Sequence, residues 1–181
     1  MNIKRTLTRA AFCVAALSAS FANAATLNWT LQGVQFADQA TASGWFTADS
    51  VTGNILSWDI TTTAGSTLSG YHYDTTTSFL YGQNVWGANA NSFLIANFAG
   101  NNYSPYLNLS FDNPWTSAGV INVDTSTVGS SGSWECANCS PARFATAGTA
   151  TTQTVPEPGS MMLVGLGLAA LGAGARRKKA D

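Results

Sequence analysis

Charged residues are scarce in this chain of 181 residues: they make up 9% of it, against about 25% in ordinary soluble proteins. Residues 25–154 lack lysine and methionine altogether, and Arg143 is their one base. That base stands against seven acids, which leaves the central stretch with a net charge of −6. The lack of cations excludes binding to a nucleic-acid backbone. The lack of charged helical patterns excludes coiled coils and charge-laced helical bundles.

The N-terminus has the three sections of a secretory signal peptide. It begins with a basic region made of Lys4, Arg5 and Arg9. Residues 10–19 are apolar, and residues 22–24 have the small-x-small pattern that signal peptidase requires. We therefore expect residues 1–24 to be a signal peptide, cut by signal peptidase between Ala24 and Ala25. The alternative is an N-terminal membrane anchor, but the apolar run is short for a hydrocarbon core of roughly 30 Å.

The C-terminus, residues 155–181, also has three sections. A proline-containing motif comes first: Val155, Pro156, Glu157, Pro158, Gly159 and Ser160. Residues 161–175 are apolar and, as a helix, would extend about 23 Å, which allows one transmembrane span with local thinning. A basic cluster ends the tail: Arg176, Arg177, Lys178 and Lys179. Because such clusters stay on the cytoplasmic side, the central domain is expected on the far side of that membrane.

This order of motif, apolar span and basic end resembles the PEP-CTERM sorting signal over residues 155–181. The resemblance implies that an exosortase, a membrane-embedded cysteine transpeptidase, recognises the tail and cuts it. The protein would then be anchored only transiently in the inner membrane. Its destination would be the cell surface or the extracellular matrix, often of a cell that makes exopolysaccharide. The alternative is an ordinary C-terminal tail anchor.

Residues 25–154 alternate with the period of two that β-strands show, and no long helical stripe is present. Apolar residues recur at alternate positions in five runs: Leu27, Trp29 and Leu31; Trp58 and Ile60; Phe79 and Tyr81; Leu107, Leu109 and Phe111; and a run from Phe144 to Thr152. Polar turn residues at 49–54, 99–102 and 112–114 separate the runs. Many short strands with polar turns predict a mainly β fold, with one antiparallel β-sandwich or jelly-roll-like domain over residues 25–154.

Part of this domain also resembles a recurring N-terminal pattern of secreted PEP-CTERM proteins. A strand over residues 29–36 is followed by a Gly-x-Phe strand around Gly44 and Phe46, and then by an Asp-x-x-x-Gly turn from Asp49 to Gly53. The resemblance implies β structure and no known activity.

Cys136 and Cys139 form the only cysteine pair outside the signal peptide. Export places them in an oxidising compartment, which favours a disulfide that closes a tight loop. A thioredoxin-like redox role would need a βαβ setting, whereas Gly and Ser before the pair and Ser140-Pro141 after it suggest the end of a hairpin. A zinc site needs four ligands, and the pair supplies two.

No catalytic, cofactor-binding or metal-binding constellation stands out among the polar residues. His72 lies beside a carboxylate and could act as a general base, but a half-exposed strand histidine is the commoner case. Asp49 and Asp112 sit where Asx turns form, which favours backbone capping. Calcium would suit the acidic side chains, yet no EF-hand or RTX-type repeat is present. Arg143 is expected to pair with a carboxylate such as Glu135, or with strand carbonyls.

Five of the six tryptophans divide into two groups. Trp29 and Trp58 fall on alternating positions and are expected in the core. Trp86, Trp115 and Trp134 lie beside Gly, Pro or Ser, which predicts loops. Aromatic rings on loops are candidate ligand contacts, although half-buried loop anchors are commoner.

These features predict a non-enzymatic exported protein of the cell surface or matrix, sorted by an exosortase and associated with exopolysaccharide or biofilm through aromatic loops. The alternative function is that of a secreted hydrolase acting on matrix polysaccharide, because two of the acids could flank a glycosidic bond.

Overall fold

The computed structural model describes residues 25–84, 91–98, 105–127 and 131–152. The predicted signal peptide, the sorting tail and Trp86 lie outside these residues. The described residues contain no helix, which agrees with the predicted mainly β fold. Ten strands follow one another along the chain: β1 Thr26–Phe36, β2 Thr41–Asp49, β3 Ile55–Thr62, β4 His72–Asp74, β5 Ser78–Gln83, β6 Ser92–Asn97, β7 Tyr106–Ser110, β8 Val120–Asn122, β9 Trp134–Cys136 and β10 Ala142–Thr152.

The strands form one antiparallel sheet in the order β4-β3-β2-β1-β10-β9-β7-β6-β5, and β8 also pairs with β10. Strand β10 joins the two halves, since its first residues pair with β9 and the rest pair with β1. The end strands β4 and β5 lie in contact. The expected antiparallel domain is therefore present as one curled sheet, nearly closed like a barrel, and not as two separate sheets.

Alternation places the expected apolar residues of β1 and β3 inside. Trp29 and Leu31 of β1 are buried, as are Trp58 and Ile60 of β3. Strand β1 changes register after Leu31. Gly33 adopts a φ of 60° there, a conformation that glycine reaches without a steric penalty. This bulge brings Val34 and Phe36 back to the buried face.

Aromatic rings fill the tail end of the barrel, which we define as the end where Ala25 and Thr152 lie. Phe46 of β2 contacts Phe93 of β6 at a centroid distance of 5.0 Å and Phe111 at 5.6 Å. Trp115 meets all three rings edge-on, and its indole N–H donates to the Gly53 carbonyl at 2.8 Å. The two halves of the sheet are thus packed together through their side chains.

A buried ion-pair network fills the opposite end. Glu135 of β9 and Arg143 of β10 are cross-strand partners, and they are 0% and 2% exposed. Arg143 Nε donates to Glu135 Oε2 at 2.7 Å, and Nη2 also donates to that oxygen. Nη1 donates to Asp38 Oδ2 at 3.1 Å, and Nη2 donates to the Thr63 carbonyl at 3.0 Å. The expected pairing of Arg143 with Glu135 is confirmed.

The other carboxylate oxygen of Glu135 reaches the far edge of the sheet. Oε1 accepts the Tyr73 hydroxyl at 2.7 Å and the Thr62 hydroxyl at 2.8 Å. Burial raises the pKa of Glu135, and the hydrogen bonds from Tyr73, Arg143 and Thr62 oppose that rise. Burial and the Glu135 charge raise the pKa of Tyr73, so its hydroxyl stays a donor. All four hydrogen bonds to Glu135 therefore favour its ionised form.

Asp38 completes the network from the turn between β1 and β2. Burial would raise the pKa of Asp38, but the Ala40 N–H, Arg143 and the Thr67 N–H donate to its carboxylate and lower the pKa below the usual value. A Cβ atom at Gly65 would collide with this carboxylate. Glycine at position 65 thus leaves room for the ion pair.

The Cys136–Cys139 disulfide closes the hairpin between β9 and β10. The two Sγ atoms are bonded, and the Cα atoms lie 4.5 Å apart. Cys136 is paired with Ala142, directly beside the Glu135–Arg143 pair. Both the predicted disulfide and its place at a hairpin end are confirmed.

Replacing Arg143 by methionine should destabilise the domain strongly, because Glu135 and Asp38 would keep buried carboxylates without their cation. We expect a loss of about 3–5 kcal/mol in the free energy of unfolding, measured by urea denaturation. His72→Ala is the matched control, since it removes an exposed contact with Asp59 worth at most about 1 kcal/mol. Equal losses in the two variants would contradict the importance of the network.

The disulfide should be complete in the exported protein but contribute little to stability. Alkylation without reductant is expected to label neither cysteine. The bonded residues are three positions apart, so the chain entropy lost on closing the loop is small, and the stabilisation stays below the roughly 3 kcal/mol of a fifteen-residue loop. Circular dichroism should show a folded domain after reduction, and unfolding by reductant alone would refute this.

Candidate functional site

Trp115, a predicted ligand-contact aromatic, lies in the core. It does sit on a connection between strands, but only 3% of it is exposed. Its indole donates to Gly53, and its carbonyl accepts the Trp29 indole N–H at 3.1 Å. A ring held in this way anchors the loop to the core and offers a ligand little more than an edge. The structure therefore favours the role of a loop anchor for Trp115 over that of a ligand contact.

Trp134 lies on strand β9 and not on a loop. It is half-buried and pairs with Asn108 of β7 and Phe144 of β10. Trp86 falls outside the described residues. Trp115 and Trp134 therefore do not form one exposed aromatic surface.

A different group of rings, not predicted from the sequence, does form such a surface. This aromatic patch consists of Phe79, Tyr81, Phe98 and Tyr106. The centroid of Phe79 is 5.2 Å from that of Phe98 and 6.1 Å from that of Tyr81. Tyr106 lies 5.9 Å from Tyr81. Tyr81 is 51% exposed and Phe98 is 53% exposed, so the patch presents apolar ring surface to solvent.

Local structure explains how the aromatic patch arises. Leu80 packs against the core, so the alternation of β5 sends Phe79 to the outer face. Phe98 follows the end of β6, and Tyr106 begins β7. The Phe-Leu-Tyr run was a visible signal for part of the patch, but only pairing of the strands brings Phe98 and Tyr106 beside it.

A polar depression of about 450 Å³ opens at the tail end of the barrel, where the edge of Trp115 forms part of its wall. Gln83 crosses it, accepting from the Ile55 N–H at 3.0 Å and donating to the Gly53 carbonyl at 3.0 Å. Its other described lining residues are Thr52, Asn54, Asn84, Asn91, Pro114 and Thr116. The lining carries hydroxyl and amide groups and no ionisable side chain among these residues.

His72 lies on edge strand β4 between two carboxylates. Its Nε2 is 2.9 Å from Asp59 Oδ1, and its Nδ1 is 3.8 Å from Asp74 Oδ2. The imidazole is about half exposed, at 48% of its side chain. This matches the expected half-exposed strand histidine, held in an open position on the sheet.

Three further acids of the described residues, Asp49, Asp112 and Asp124, cap turns or loops. Asp49 Oδ1 accepts the Val51 and Thr52 N–H groups at 2.8 and 2.7 Å, which confirms the expected Asx turn. Asp112 accepts the backbone and side-chain N–H groups of Asn122, and Asp124 accepts the Ser126 N–H. Hydrogen bonds to these carboxylates lower the pKa of Asp49, and they lower that of Asp112 against the opposing effect of burial.

In the part of the chain that the structure describes, no three histidine, cysteine or acidic side chains are arranged to hold a metal ion. No helix in the same residues is long and apolar enough to cross a membrane. The predicted tail helix at 161–175 falls outside that part of the chain.

Comparison with known proteins identifies the tail. Residues 154–178 match the family described as the PEP-CTERM protein-sorting motif. The match includes the whole of the motif at 155–160 and all of the basic cluster except Lys179. Neither the curated proteins nor the solved structures contain a match to the chain. The chain thus carries the sorting motif of an exosortase substrate, which implies export and membrane-anchored sorting.

The free energy of unfolding at acidic pH should depend on the carboxylates that accept hydrogen bonds in turns. The Thr76 hydroxyl and the Thr76 and Thr77 N–H groups hold the pKa of Asp74 well below its ordinary value of 3.8. A lowered folded-state pKa gives stability that is present above the unfolded value and lost as the pH falls through the folded value. We therefore expect the free energy of unfolding to fall below about pH 4.

Asp74→Asn should flatten that decline, because the amide oxygen can still accept the two backbone N–H groups but cannot be protonated in this range. Urea denaturation at a series of pH values below 4 would measure the slope. An unchanged slope would show that Asp74 does not titrate as described.

Proposed function

We propose that this chain, which carries a PEP-CTERM sorting motif, is a non-enzymatic protein of the cell surface or extracellular matrix that contacts exopolysaccharide. The observation that carries the proposal is the position of the motif, which begins directly after the last strand of a folded β domain. An exosortase would cut the tail, and the domain would be delivered beyond the membrane.

The state of the polar side chains supports binding over catalysis. Asp38 and Glu135 are engaged by Arg143 inside the core, while Asp49, Asp74 and Asp112 hold turns and loops through their carboxylates. A glycosidase needs a pair of carboxylates free to face the substrate. In the described residues these five acids are already committed to holding the fold.

The aromatic patch supports a polysaccharide ligand. Aromatic rings offer a flat apolar surface, and tyrosine adds a polar edge, so such groups suit sugars that have both apolar faces and hydroxyls. The one arginine of residues 25–154 is buried, which leaves the domain surface with no arginine or lysine from that stretch. A net negative domain repels anionic polymers, and the favoured ligand is therefore a neutral polysaccharide.

Removal of one charge should separate sorting from simple anchoring. Glu157 is the only charged residue of the motif and lies between its two prolines. If the exosortase reads its carboxylate, Glu157→Ala should leave the full-length protein uncut in the membrane of exosortase-containing cells. Mass spectrometry of the membrane and released fractions would show the difference.

Asp181→Ala is the matched control, because it removes a charge of the same sign beyond the basic cluster. It should be processed as the wild-type protein is. A simple tail anchor would need only the apolar span and residues 176–179. In that case neither substitution should change the mass or the membrane location of the protein. Surface-located wild-type protein that still carries residues 176–179 would rule out cutting of the tail.

Ligand binding should depend on the aromatic patch. We expect Tyr81→Ala/Phe98→Ala to weaken binding to neutral exopolysaccharide at least about tenfold, since a loss of about 1.4 kcal/mol suffices for that factor. Pull-down with exopolysaccharide purified from the producing cells would measure it. Trp45→Ala, which removes a 36% exposed ring on β2, is the matched control and should bind normally.

Two results would count against the binding role. Retained affinity in the double variant would remove the aromatic patch as the contact surface. Release of reducing sugars from the same polysaccharide by the purified wild-type protein would favour a hydrolase instead.

A further inference from the structure

The sorting motif begins very close to the folded domain. Thr152, the last residue of β10, is 8% exposed and pairs with Trp29 of β1. Its N–H donates to the Gly119 carbonyl at 2.9 Å. The chain is therefore held on both sides up to this residue. From Thr152 to Val155, the first motif residue, three residue steps reach at most roughly 10 Å.

Any enzyme that holds the motif must therefore meet the tail end of the domain. An enzyme embedded in the membrane would grip an extended peptide that starts within that short reach of β10. The domain could not swing away on a linker, because long reach requires many flexible residues. The side chains exposed at the tail end are therefore the ones that the enzyme would contact.

Three aliphatic side chains are exposed at this end, and we call them the tail-end surface: Val51, Leu56 and Val120. They are 71%, 50% and 65% exposed, respectively. The other large exposed hydrophobic side chains of the described residues are aromatic. Scattered exposed aliphatics are common, but these all lie in the same part of the fold.

The strand pairings fix this position. Val120 of β8 is the cross-strand partner of Thr151, next to the exit of the tail. Val51 lies in the turn between β2 and β3, and Ser50 in that turn donates its N–H to the Ala25 carbonyl at 3.0 Å. Leu56 lies in a bulge near the start of β3, opposite Thr47 and Ala48. Both ends of the described domain and all three side chains are therefore at one end of the barrel.

The charges at this end favour a protein partner over a lipid partner. Asp49 lies in the same turn as Val51, and Asp112 is bonded to Asn122 of β8, beside Val120. Arg143, the only arginine or lysine of residues 25–154, is buried near the opposite end, so the two carboxylates outnumber the one α-ammonium that cleavage before Ala25 would leave at the tail end. Anionic lipid surfaces attract basic segments and repel acidic ones. Aliphatic side chains flanked by carboxylates suit a protein surface with apolar and basic residues.

We propose that the tail-end surface docks the folded domain on the membrane-embedded sorting enzyme while that enzyme holds the motif. The proposal rests on the proposed function, because it assumes that such an enzyme cuts the tail. Docking would add a contact made by the folded domain to the recognition of residues 155–160. A protein whose domain is unfolded, or whose tail-end surface does not contact the enzyme, would then be cut more slowly than the folded and docked protein.

The first test measures the rate of tail removal in cells that contain the enzyme. Val51→Ser/Leu56→Ser/Val120→Thr should slow the removal several-fold in a pulse-chase experiment on the full-length protein. Tyr81→Ser/Phe98→Ser is the control, because it removes exposed apolar surface from the aromatic patch and should be cut at the wild-type rate. Thermal unfolding of both variants checks that slow cutting does not come from loss of the fold.

A second test identifies the partner directly. A photo-crosslinking amino acid placed at position 120 should form an adduct with the sorting enzyme, whereas the same amino acid at position 98 should not. An adduct with lipid alone would overturn the proposal in favour of a membrane contact.

The outcomes separate the two proposals. If the wild-type tail is never removed, the proposed sorting fails. If the wild-type tail is removed but the triple variant is cut equally fast, sorting stands and docking through the tail-end surface is overturned.

Discussion

The rest of the fold depends on the buried ion pairs that the Arg143 guanidinium makes. This side chain lies on β10, the strand shared by both halves of the sheet, and it bonds to Glu135 of β9, to Asp38 of the first turn and to the carbonyl after β3. Through Glu135 the network continues to Tyr73 of β4. A buried cation must be paired or the domain loses several kcal/mol. One side chain therefore fixes the relative positions of segments far apart in the sequence.

The two ends of the barrel are stabilised by different interactions. The ion-pair end is held by charge, by the hairpin and by its disulfide. The tail end is held by packed aromatic rings, and it carries both ends of the described domain. We expect the tail end to face the membrane while the tail is attached, and the aromatic patch on β5–β7 to stay accessible. The features proposed for sorting and for ligand contact are thus on different parts of the surface.

Much of this could be predicted from the sequence, and the failures have a common cause. Period-two alternation correctly placed Trp29, Trp58 and Leu107 in the core, because side chains on a strand alternate between the two faces. Turn chemistry predicted the role of Asp49, and the lone base predicted the partner of Glu135. The loop prediction for Trp115 was right about its connection, and its burial favours the loop anchor over the ligand contact, the two alternatives that the sequence left open. Neighbouring Gly and Pro mark a loop, yet they do not show whether a ring folds back onto the core.

The sequence by itself determined the class of fold, the disulfide and the sorting motif, because each is encoded in residues that are close together in the chain. A motif read by an enzyme as an extended peptide needs no tertiary context. Only the tertiary structure decided that the sheet curls into one nearly closed barrel, that Phe98 joins Phe79 and Tyr81, and that Val51 and Val120 share the end where the tail leaves. These features depend on the register between distant strands, which side-chain periodicity leaves open.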